Sequence, residues 1–340
     1  MKSWSVRRGR LLAVVAVFVG APVCAEYLAA YMEETGKPGA LIAALVVLGP
    51  LYGGAALLIR EVAVRRGLGW SGILLLAAAF GLAMPGLLDL TLYGDLHSGV
   101  GDFDEVRRAT MLGPLGISAF ATLSYVSTHV LISIGAPLGV LDALAPRYRG
   151  RPLLSGKGMV VVAALMFWAA ALVRADARFE GYHASTAQTS GAAAGVIVLV
   201  VLAFTRLGRP VTTGDGKPVP AVWLVLAGGL WLFATDNVPA TWLGVALLVA
   251  LFAAAVLAIR YWSHRTRWTA AQIGALAAGA LIARALAGIL APLPVGVDYA
   301  AKATQSMLLF AATLVVAWLV LRHTGARFGR RTVAPGPGNG

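Results

Sequence analysis

Ten apolar runs, each fifteen to twenty-five residues long, follow one another along the chain with short polar or basic stretches between them. They cover residues 11–32, 39–59, 71–93, 116–140, 159–173, 191–205, 220–235, 238–259, 271–290 and 307–321. About twenty apolar residues at 1.5 Å each span a ~30 Å hydrocarbon layer, so the pattern predicts ten membrane helices. Runs 159–173 and 191–205 are short for a crossing. Run 220–235 is followed almost directly by 238–259, and Asp236-Asn237-Val238-Pro239 between them is the chemistry of a tight turn joining a helical hairpin.

The loops test this count independently. One alternating set holds Lys2, Arg7, Arg8 and Arg10, the basic residues of 60–66, 147–157, 206–217 and 260–267, and those of 322–331, together 21 of 28. The other set holds six: Lys37, Arg107, Arg108, Arg174, Arg178 and Lys302. Basic residues stay on the cytoplasmic side, which places both termini there. The expected fold is all-α, a polytopic bundle over residues 1–331 with a disordered Pro/Gly-rich tail at 332–340. The basic lead and apolar core at the N-terminus also resemble a signal peptide, but the run continues to Met32 and is expected to be retained as the first helix.

Composition agrees. With 59% hydrophobic residues, 13% charged ones and a mean hydropathy of +0.79, a soluble globule has too little interior for the apolar surface. The net charge of +13 follows from loop placement and implies no nucleic-acid partner; the expected partners are the lipid bilayer and a small-molecule or lipid substrate. A single cysteine, Cys24, excludes an internal disulfide and a multi-thiolate zinc site. No cofactor is expected.

Four ionisable residues fall inside predicted helices: Glu26, Asp89, His129 and Arg284. Each costs a few kcal/mol in lipid unless paired, hydrated or neutralised. Helices one, three and nine run outward, so Glu26, Asp89 and Arg284 share the outer half, and Arg284 is expected to answer Asp89 or Glu26. Asp236 and Asn237 read as turn residues. Tyr125 lies one turn from His129 on the same face, with Ser124 and Thr128 on the adjoining one. Such a stripe suits a proton relay, a ligand contact, a metal ligand or plain helix packing. Pro50, Pro85 and Pro137 predict kinks, and the glycine pairs Gly49/Gly53 and Gly135/Gly139 predict close helix contacts. In the acidic outer loop, Asp95, His97, Asp102, Asp104 and Glu105 offer oxygen ligands without EF-hand spacing, and no metal site is expected.

GPLYGGAALLIREVAVRRGLGW from Gly49 to Trp70, PVCAEYLAAY before it and a His-containing fourth helix ending in APLGVLDAL resemble a group of uncharacterised integral membrane proteins of actinobacteria, over about the first 145 residues. The third helix and Tyr125-x-x-x-His129 are also remotely similar to the CPBP family of intramembrane proteases. That resemblance implies paired glutamates in the third helix, but Met84 and Pro85 stand there, and His183, His264 and His323 supply no third motif. What it implies is a degenerate member without water-activating carboxylates. HExxH, GxSxG, a Walker loop and paired Asp-rich motifs are absent. Three functions remain open: a transporter or permease with its polar site in the outer half, an intramembrane enzyme acting on a lipid or isoprenoid, and a non-catalytic membrane partner or immunity protein. The residues carrying the site are expected to be Glu26, Asp89, His129, Arg284 and Tyr125.

Overall fold

The computed structural model describes residues 2–93, 107–179 and 183–329. The acidic cluster 95–105 and the tail 332–340 lie outside the described residues. Ten apolar helices match the ten runs: α1 (Arg8–Tyr27), α2 (Pro38–Arg66), α3 (Trp70–Leu88), α4 (Ala119–Leu144), α5 (Gly156–Ala177), α6 (Thr186–Phe204), α7 (Ala221–Asp236), α8 (Trp242–Arg265), α9 (Ala270–Leu290) and α10 (Tyr299–His323). Among the described residues, nine are long enough to cross a membrane, and α7 is shorter. The short runs gain length from polar starts. α6 begins in a capping box in which Ser185 and Gln188 satisfy each other's backbone N–H groups, and Thr269 and Gln272 do the same for α9. The α4 run starts later than expected, because Ile117–Ser118 pairs with Met111–Leu112 in a two-stranded hairpin before Ser118 caps the helix.

About half of the α2, α4 and α9 spans is buried, against 11% for α5, α6 and α8. The first three therefore form the centre and the last three face lipid. Small residues set the inner contacts. A Cβ on Gly53 would collide with the Phe18 carbonyl of α1, and one on Gly279 with the Val225 carbonyl of α7. Gly49 also faces Phe18, so that pair works as expected. In the second pair Gly139 meets Ala277 on α9 closely, whereas Gly135 faces the Val130 carbonyl of its own helix and has Leu74 of α3 at only 3.8 Å.

Four helices widen into π turns: Val23–Tyr27 in α1, Gly49–Gly53 in α2, Met84–Leu88 in α3 and His129–Gly135 in α4. Proline explains their positions. Proline lacks the N–H for the ordinary bond and its ring crowds the carbonyl four residues back. Pro22 directly precedes the first π turn, Pro50 and Pro85 lie within the second and third, and Pro137 follows the fourth by two residues. The chain answers with bonds spanning five residues, such as Leu28 N–H to the Val23 carbonyl and Asp89 N–H to that of Met84, both 3.0 Å. The prolines expected to interrupt the helices thus coincide with widened turns.

Near the C-terminal end of α2, Glu61 is fully buried. Its carboxylate accepts from Leu153 N–H at 2.5 Å and lies 3.4 Å from Arg60 and 3.3 Å from Arg65. Arg60, also buried, donates to the Tyr148 and Arg151 carbonyls, and Arg65 donates to that of Leu154. This clamp folds the α4–α5 loop against α2.

Candidate functional site

α1 ends below the outer surface of the bundle, because the turn that follows it buries Leu28, Ala29, Ala30 and Thr35. Ala30 takes a left-handed conformation (φ 51°), which bends the chain back over the helix end. Glu26, in the π turn just beneath, is 9% exposed. One of its oxygens accepts from the Tyr52 hydroxyl and the other from the Tyr31 hydroxyl. Tyr31 lies in the outer turn with its ring partly open. Among the described residues, no cation pairs with Glu26.

The Tyr52 ring continues the assembly inward. It stacks on His129 at 5.8 Å between centroids and 28° between planes, and Phe80 meets both rings edge-on at 5.9 Å. The His129 Nδ1 lies 3.2 Å from the Ser133 hydroxyl, one turn along the α4 π segment. Gly81 of α3 abuts the His129 Cβ, so that glycine admits the imidazole between α3 and α4. Glu26, Tyr52, His129 and Ser133 all sit in π turns, which re-aim side chains that a continuous α-helix would point elsewhere.

Arg284 has a different partner from either expected one. Its Nη1 lies 3.5 Å from Asp236 Oδ2, a pair that joins α9 to the end of α7. Asp236 is the last residue of α7, where the helix dipole disfavours a carboxylate; Arg284 offsets that. It is thus more than a turn residue, while Asn237 caps the helix by donating to the Phe233 carbonyl at 2.8 Å. The Arg284 charge still acts on Tyr31 and His129. Asp89 ends α3, accepting from the Thr91 N–H (2.9 Å) and hydroxyl (2.7 Å), and its charge acts on Tyr31 and Tyr52. Tyr125 lies one turn from His129 on α4, half-buried. Of the five expected site residues, Glu26 and His129 meet through Tyr52, and Asp89 and Arg284 border them electrostatically.

Among the described residues, no group of three or more His, Cys, Asp and Glu is placed to hold a metal. A family model described as an uncharacterized membrane protein family matches residues 13–330. The chain belongs to that family. No curated protein and no solved structure matches it. The match runs across α1 to α10, so the π-turn cluster and the Arg284–Asp236 pair both lie within the family's extent.

Tyr31, Tyr52, Phe80, Ser133 and Asp236 were not legible as site residues. Tyr52 stands between two glycines in an apolar run, where an aromatic reads as core. Its one signal was Pro50, which marks a break in the helix. A double-mutant cycle tests the revised pairing. Arg284→Ala and Asp236→Ala are each expected to lower stability by about 1–3 kcal/mol, with the double substitution costing less than their sum. Arg284→Ala combined with Glu26→Ala is expected to be additive, read as detergent melting temperatures.

Proposed function

We propose that this integral membrane protein is a permease-type transporter of a bacterial plasma membrane, with Glu26 as its proton- or cation-binding carboxylate. One observation carries the reading: an intramembrane carboxylate held by two neutral phenols, where the π turns of three helices come together. An ion-paired carboxylate is locked in its charged form, whereas one held by hydroxyls can change charge without stranding a cation. As a carboxylate Glu26 accepts from both tyrosines. Once protonated it becomes a donor on one oxygen, and the hydroxyl facing that oxygen must turn and accept. The clasp between the α1 and α2 π turns then loosens, and Tyr52 carries the change to His129. Widened, proline-marked helices around a polar centre are also how transporters line binding sites.

The test uses proteoliposomes loaded with a pH-sensitive dye and challenged with panels of amino acids, monocarboxylates, polyamines and alkali cations. Wild type is expected to move protons with at least one class, and Glu26→Gln to abolish that flux while remaining folded. Tyr52→Phe, which keeps the ring stack but removes one donor, is expected to slow it. A flux unchanged in Glu26→Gln, or none with any class, sinks the proposal.

One observation favours a second reading, a lipid-modifying enzyme. Val23 and Cys24, in the same π turn as Glu26, line an apolar groove open towards the hydrocarbon. Turnover of a lipid extract that is lost in Glu26→Gln, without proton flux, would select it.

A further inference from the structure

The groove lies along α1 and α10, floored by α4 and α9, with a volume of about 280 Å³. Its walls include Gly20 and Cys24 of α1, Pro137 and Leu144 of α4, Leu281 of α9 and Val316 of α10. The α1 lining runs from Ala16 to Leu28, which is about 18 Å of helix. Along that length the lining is apolar apart from Thr313, which suits an acyl chain.

Polar groups lie beyond the lining, towards the N-terminal end of α1 and the C-terminal end of α4. The lining stripe on α4 (Pro137, Val140, Leu141, Leu144) leads, one turn further, to Arg147 and Tyr148, and the α1 stripe leads back through Ala13 to Gly9. These meet: a Cβ on Gly9 would strike the Arg147 guanidinium and the Tyr148 hydroxyl. The Tyr148 hydroxyl is buried with no hydrogen-bond partner among the described residues. The Arg147 guanidinium lies 4.7 Å over the Tyr148 ring, and exposed Arg10 follows Gly9 on α1. A buried donor left without an acceptor costs stability until something accepts from it, and two exposed arginines beside it favour an anion.

We propose that an anionic phospholipid of the cytoplasmic leaflet docks here, with one acyl chain in the groove and its phosphate against Arg147 and the Tyr148 hydroxyl. The site is separate from Glu26 and does not rest on the transport reading. It gives the protein a lipid-dependent stability set by leaflet composition.

Native mass spectrometry of delipidated protein, given equal phosphatidylglycerol and phosphatidylcholine, tests this. Wild type is expected to retain one phosphatidylglycerol in preference to phosphatidylcholine. The Gly20 Cβ position has nothing within 4 Å, so Gly20→Phe fills the groove without a clash and is expected to abolish retention with its melting temperature in detergent maintained. Ala312→Phe, from the α10 wall, serves as an independent blocking variant. Arg147→Gln is expected to cut the preference for phosphatidylglycerol roughly fivefold, one surface cation's contribution. Equal retention of both lipids by wild type overturns the proposal. So does retention unchanged in both blocking variants, or a dimer that either variant dissociates, which would make the occupant a second copy of the chain.

Discussion

Glu61→Ala is expected to destabilise the protein by about 3–5 kcal/mol, read as a fall in melting temperature in mild detergent and a loss of folded yield. Two costs combine. Arg60, 4% exposed, would keep its charge inside the protein with the Glu61 carboxylate gone, and Leu153 N–H would lose its acceptor. The loop against α2 would loosen, since Arg60 and Arg65 hold its carbonyls in positions that Glu61 helps to fix. Arg60→Met combined with Glu61→Leu removes both buried charges and is expected to recover much of the loss. A double variant as unstable as Glu61→Ala would show that the hydrogen bonds to the loop, rather than the buried charge, carry the effect.

Gly279→Val is expected to cost about 3 kcal/mol or more, because its Cβ would meet the Val225 carbonyl and lie 2.8 Å from the Gly229 nitrogen. Backbone atoms cannot rotate away as a side-chain tip can, so α7 must move off α9 and take Asp236 from Arg284. Gly191→Ala in α6 is the contrasting case. Nothing lies within 4 Å of its Cβ position, and helix propensity alone predicts a gain of up to about 1 kcal/mol. Melting temperatures of the two variants, measured side by side, separate close contact from glycine content.

The crossings were legible because burial in lipid requires a run of apolar residues some twenty long, a constraint written in one dimension. The loop charges recorded the same topology a second time. Pairing between helices leaves no such trace: Arg284 is 48 residues from Asp236 and 258 from Glu26, and nothing in periodicity says which helix turns towards it. Asp236 was concealed by its own neighbours, because Asp-Asn-Val-Pro satisfies the chemistry of a turn so well that no further role is needed to explain it. Glu61 was concealed by its surroundings, one acid among the arginines at a helix end, where charge normally faces water. The prolines were visible as interruptions, but that the chain would answer the missing donor with a widened turn depends on what the neighbouring helices leave room for. Glu26 and His129 stood out because an ionisable group in an apolar run is improbable without cause, whereas Tyr52, which joins them, is ordinary in such a run.

Each π turn carries one residue more than the same length of α-helix needs. The centre around Glu26 is therefore sensitive to chain length as well as to side-chain identity. Removing a single residue from the π turn of α1, Val23 for example, would let the helix close into regular α geometry, leaving the residues beyond close to their places but narrowing the turn that aims Glu26. Glu26 would lose the widened turn that presents it to Tyr52 although every group of the assembly was still encoded. The same holds separately for the π turns of α2 and α4, so one codon deletion would remove the arrangement and one insertion would restore it. Residue identity alone would not register the change, because the letters persist while the widened turn does not.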